Sequence, residues 1–147
     1  DVIHMKRASV NGDVLSYKQH KTKKFIQVPL VVEKWKNELK SIEGEYLFPL
    51  LQKEHDLKGM NVISKIFTRI VSDAGIEQED VEFKNGQVRA RKTFHSLRHT
   101  LRSAIINSRG TDAQADLILG HSEGTGKRYT HADLDSMRVA LADALKF

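Results

Sequence analysis

Apolar side chains recur at helical spacing along most of this chain, and that periodicity limits its fold more than any other feature. Val32, Trp35 and Leu39 form one stripe, Val62, Ile63, Ile66, Ile70 and Val71 a broader one, and Leu97, Leu101 and Ile105 a third. Leu134, Met137, Leu141, Ala144 and Leu145 complete a fourth near the C-terminus. Helices are expected over residues 31–42, 61–74, 95–108, 111 or 112 to 119, and from 133 onward. Thr93 and Thr111 or Asp112 are the expected caps, and Gly75, Gly110 and Gly120 the stops. Only the N-terminal stretch reads as β. Residues 1–5 look like a short strand, and after the turn signal Asn11-Gly12 two more strands are expected over 14–17 and 25–28. Gly44 and Pro49 interrupt residues 43–57, so that stretch is expected as a loop with a short helical piece. Residues 76–92 are expected to be extended, turning at Asn85-Gly86. The fold class is therefore α+β, mainly α, with a small antiparallel sheet near the N-terminus.

The chain's 147 residues suit one domain, long enough to bury roughly 68–70% of the surface that its unfolded form exposes. Having no cysteine, it has no disulfide, thiolate zinc site or thiol nucleophile. No stretch approaches the run of about 20 apolar residues that a membrane span needs, and the opening DVIHMKR lacks a signal-peptide layout. A cytoplasmic protein is the expectation. The formal charge of +5 is uneven. Residues 1–110 hold 20 basic and 13 acidic side chains, whereas residues 111–147 hold four and six. Such a basic body suits a polyanion, because neutralising phosphates releases condensed counterions.

Four short segments carry chemistry. They are the lysine turn His20-Lys21-Thr22-Lys23-Lys24, the run Thr93-Phe94-His95-Ser96-Leu97-Arg98-His99, then Leu119-Gly120-His121, then Arg128-Tyr129-Thr130-His131. His95 and Arg98 are three apart, so a helix projects both from one face, in a first turn whose free N–H groups favour an anion. Each segment alone has a bland reading. His95 suits a helix end, Arg98 a surface cation, His121 a helix C-terminus with its partial negative charge, and Tyr129 a core-edge aromatic.

In this order, however, the segments resemble the tyrosine recombinase, or phage integrase, family. That family has a β-hairpin lysine, an H-x-x-R helix, an L-G-H segment and a downstream tyrosine, and FHSLRHT, LILGHS and RYTH read like its members. The resemblance spans residues 21–129 and continues into the last helix, although residues 30–90 match mainly in helical layout. It implies that Tyr129 is the nucleophile, Arg98 a phosphate clamp, His95 acid–base support, His121 a donor to the phosphate, and Lys21 the acid for the leaving 5′-oxygen. Lys23 is the second choice for that lysine. Lys23, Lys24, Arg89, Arg91, Lys92 and Arg102 are expected at DNA backbone phosphates.

The family's first arginine, in a T-G-x-R type segment, has no counterpart before Lys21, and Arg7 stands in the wrong context. The chain is expected to be a catalytic domain beginning after that segment and after a core-binding domain, with weak or no cleavage by itself. Tyr129 follows His121 by eight positions, a tight spacing, and Ser96 stands where an acidic residue is frequent. Double-stranded DNA is the implied partner, with four subunits on two duplexes in the full-length protein, and neither cofactor nor metal is implied. Two rivals remain. One is a metal hydrolase using His95, His99 and His121, although Ser96 replaces the usual glutamate. The other is a non-catalytic helix-turn-helix-like DNA-binding module over residues 93–119.

Overall fold

The computed structural model describes residues 2–59, 61–82, 85–121 and 130–146. Its fold is α+β and mainly α, as the periodicity predicts. Two compact units make up the chain, one of Asp1–Pro49 with Leu101–Phe147 and one of Leu50–Thr100.

The first unit contains a three-stranded antiparallel sheet of β1 (Val10–Asn11), β2 (Val14–Lys18) and β3 (Phe25–Pro29), in sequence order. Gly12 at φ 62° makes the first turn, and β2 pairs with β3 from Val14↔Pro29 to Lys18↔Phe25. The expected strand over residues 1–5 is instead a 3₁₀ turn, Val2–His4, followed by one bridge between Lys6 and Tyr46. Burial explains the difference: Ile3 and Met5 are both buried, and Met5 C=O accepts from Leu47 N–H at 2.8 Å, so the segment is anchored without a ladder. Helix α1 (Glu33–Ser41) follows the sheet.

The core of this unit gathers Ile105 at the end of α4 (Ser96–Asn107), Ala115 and Ile118 of α5 (Asp112–Leu119), and Met137, Ala140 and Leu141 of α6 (His131–Ala144). Thr111 and Thr130 cap α5 and α6 with reciprocal boxes, in which each threonine Oγ1 accepts from the N–H three residues on. Arg138 of α6 donates to both oxygens of Asp13 at 3.0 and 2.9 Å, tying the last helix to the β1–β2 turn. The last helix packs on the core of the first unit through Met137, Ala140 and Leu141. At the end of α4 the left-handed residue is Arg109 (φ 68°) rather than Gly110. Gly110 is needed because a Cβ there would lie 2.5 Å from Ile105 Cγ2 and 2.7 Å from its carbonyl oxygen.

The second unit holds most of α2 (Pro49–Lys58), all of α3 (Asn61–Asp73), a hairpin of β4 (Asp80–Glu82) and β5 (Val88–Ala90), and the start of α4. The helical piece expected within residues 43–57 is a full ten-residue helix, since Pro49 opens α2 instead of breaking it. At a helix's first position proline loses no hydrogen bond, and its fixed φ suits the turn. Val62, Phe67 and Val71 are buried, and the Phe67 ring meets Phe94 edge-on at 5.7 Å. Among the described residues, no helix is long and apolar enough to cross a membrane.

Candidate functional site

The lysine turn is organised by Gln19. Its N–H donates to Lys24 C=O at 2.8 Å, its C=O accepts from Lys23 N–H at 3.0 Å, and its side-chain oxygen accepts from Thr22 Oγ1. Lys23 takes the left-handed conformation (φ 58°) that so tight a return requires. Lys21 and Lys23 stand exposed, and Lys24 is half-buried.

His121 stands at the far end of α5, where Gly120 turns the chain at φ 69°. Gly120 N–H bonds Leu117 C=O at 3.2 Å, and His121 N–H bonds Asp116 C=O at 2.8 Å. These two bonds are the paired closure of a Schellman motif, which satisfies the last helical carbonyls and fixes the residue after the glycine. The same glycine allows a close approach. A Cβ on it would lie 2.7 Å from Ile26 Cδ1 of β3 and 3.0 Å from Gln19 Nε2. The base of the lysine hairpin and the corner that holds His121 are therefore packed against each other within the first unit.

A charged cluster lies beside this corner. Arg102 donates to Asp116 at 2.6 Å and to Asp112 at 2.5 Å, and the Asp116 carboxylate stands 3.8 Å from His121 Nδ1. Hydrogen bonding to Asp116 pushes the Arg102 guanidinium above its ordinary value. Arg102, expected at a DNA phosphate, thus has two carboxylate partners within the protein. Asp112 reads from the sequence as a candidate cap only, and neither it nor Asp116 is among the expected site residues. Their i, i+4 spacing on α5, with Asp116 five residues before His121, is the signal that could have found them.

His95 and Arg98 belong to the second unit. His95 is exposed and immediately precedes α4, so the helix starts one residue later than expected. At this end Thr93 N–H donates to Ser96 Oγ at 3.0 Å and Ser96 N–H donates to Thr93 C=O at 2.8 Å. Arg98 is half-buried, and its N–H donates to His95 C=O at 3.1 Å. The His95 and His99 rings meet edge-on at 5.1 Å. On the preceding hairpin, Arg91 pairs with Glu79 at 2.6 Å, and Lys92 Nζ donates to the Glu77 carbonyl. Tyr129 and the side chain of Arg89 lie outside the described residues. Among the described residues no group of three histidines or acids is placed to hold a metal ion.

The phage integrase family model matches residues 2–135, which include all five candidate catalytic positions. The chain belongs to the phage integrase family. The match supports a tyrosine recombinase catalytic domain, and with it DNA as the partner and DNA recombination as the type of activity. No curated protein and no solved structure matches the integrase chain.

Proposed function

We propose that the protein cleaves and rejoins DNA strands at specific sites through a 3′-phosphotyrosyl intermediate, as in phage or prophage integration and excision. Tyr129 attacks the scissile phosphorus in line. Its oxygen forms a new P–O bond as the bond to the 5′-oxygen breaks, its proton passes to His95, and Lys21 protonates the departing 5′-oxygen. A phenol of pKa about 10 is ionised to about one part in a thousand at pH 7, so the nucleophile needs this base and the cations around it. Arg98 clamps a non-bridging oxygen through its planar fork, and His121 donates to the phosphate. A 5′-hydroxyl of a second duplex then attacks the phosphotyrosine and releases the tyrosine. One phosphoester replaces another, so no energy-rich cofactor is needed.

Lys23, Lys24, Arg89, Arg91 and Lys92 serve backbone phosphates in this reading, and an upstream arginine segment and core-binding domain complete the machinery of a tetramer on two duplexes. The observation that carries the reading is the seating of the lysine-hairpin base on the Gly120–His121 corner, in a chain whose family match spans every candidate position. A selection from random sequence tests it. The full-length protein is incubated with a library of nicked duplexes, and DNA still protein-linked after denaturation is recovered and sequenced. A recurrent sequence recovered with the native protein and lost with Tyr129→Phe is expected. Salt-sensitive binding with no denaturant-stable link would instead favour the DNA-binding module.

A further inference from the structure

The Arg102–Asp116 pair lies apart from the roles assigned above, and its geometry centres on His121. Asp116 bonds the backbone of that histidine and lies near its ring. Its carbonyl takes the His121 N–H at 2.8 Å, and its carboxylate lies 3.8 Å from Nδ1 of the ring. The carboxylate is itself held, since Arg102 NH1 donates to the same Oδ1 at 2.6 Å while NH2 is occupied by Asp112. A carboxylate held by one arm of a guanidinium, whose other arm is tied to Asp112, is restrained in the face that it offers the imidazole. These three residues carry two negative charges and one positive, leaving one negative charge in excess beside a ring that is 53% exposed.

We propose that Asp116, held by Arg102, is a positioning residue for His121, keeping a proton on Nδ1 and directing Nε2 outward to the scissile phosphate. The proposal rests on the reading of His121 as a phosphate donor. Which imidazole nitrogen carries the proton is set by the partner of the other, and a carboxylate at one edge fixes both tautomer and ring orientation. With Nδ1–H held, Nε2 donates to a phosphate oxygen only in the doubly protonated ring. Arg102 acts at one remove, by holding Asp116, rather than on DNA.

The test follows the His121 ring nitrogens by ¹⁵N NMR in the full chain, free and with a random-sequence duplex added. The neutral ring of the native protein is expected to carry its proton on Nδ1. Asp116→Asn is expected to abolish that preference, Asp116→Glu to restore it in part, and Arg102→Gln to weaken it, with the Ile105 and Leu141 methyl resonances unmoved. If Asp116→Asn fails to fold, the native ring decides alone. A neutral native ring protonated on Nε2, or a tautomer unchanged in a folded Asp116→Asn protein, overturns the proposal. The DNA arm separates this outcome from failure of the functional reading. An Nε2 resonance that ignores the duplex while Nδ1 keeps its proton removes His121 from the phosphate yet leaves Asp116 as the residue that orients it.

Discussion

His121 and His95 both stand at a helix end, yet the two ends are built differently. Behind His121 lie a left-handed glycine, a paired backbone closure and a core in which Ile105, Ala115 and Met137 are fully buried. Around His95, within the other unit, Phe94 and Leu97 are 46% and 51% exposed, and the buried apolar set among the described residues is Val62, Phe67 and Val71. Backbone geometry and burial agree on the position of the first histidine. For the second, local turn hydrogen bonds carry more of the placement. A residue of the first kind is set by the fold itself, whereas one of the second kind depends on a short stretch of helix start.

The largest effect expected from this contrast is in the cores. Ile105→Ala removes a fully buried side chain and is expected to cost about 2–5 kcal/mol, whereas Ile70→Ala, at a site 58% exposed, should stay within about 0.5 kcal/mol. Urea unfolding of both variants measures the difference, and equal losses would break the comparison. Gly120→Ala comes next. The left-handed φ and the clash with Ile26 together predict a loss of about 2–4 kcal/mol by the same assay. A near-neutral result would mean that the His121 corner is softer than its geometry implies.

Removing the caps sharpens the comparison at smaller scale. Thr111→Ala and Thr130→Ala should each cost about 1 kcal/mol, and Thr93→Ala less, because the hydroxyl at the start of α4 is that of Ser96. Thermal denaturation of the three variants ranks them. The smallest effect belongs to the exposed Lys6–Glu45 pair at 2.7 Å, whose hydrogen bond pushes the lysine up. A raised lysine stabilises below its unfolded value, and that contribution fades as pH rises through the folded value. Glu45→Gln should therefore leave the melting temperature almost unchanged at neutral pH, with any difference from the native protein vanishing in strong alkali.

Much of this was legible in the sequence where one local rule acted alone. The stripes of α3 and α6, the Asn11-Gly12 turn and the Thr111–Gly120 bracket of α5 follow from periodicity, turn chemistry and capping. Legibility failed where two rules competed. Pro49 reads as a breaker until the chain places it at a helix start, and alternating Ile3 and Met5 read as a strand although burial and a single bridge, not a ladder, hold them. The candidate residues were legible as a motif, but their supports were not. That Gln19 and Ile26 close on Gly120 depends on a contact between segments far apart in the chain, and that Arg102 meets two aspartates depends on how α4 and the next helix pack.

The most direct test of the account is to digest the protein–DNA adduct and find which residue bears the phosphate. A single nucleotide-bearing peptide beginning at Tyr129 is expected, with the DNA joined through its 3′ end. Linkage to Tyr17 or Tyr46, linkage through a 5′-phosphate, or no linkage in the full-length protein on a site that it binds specifically would contradict it.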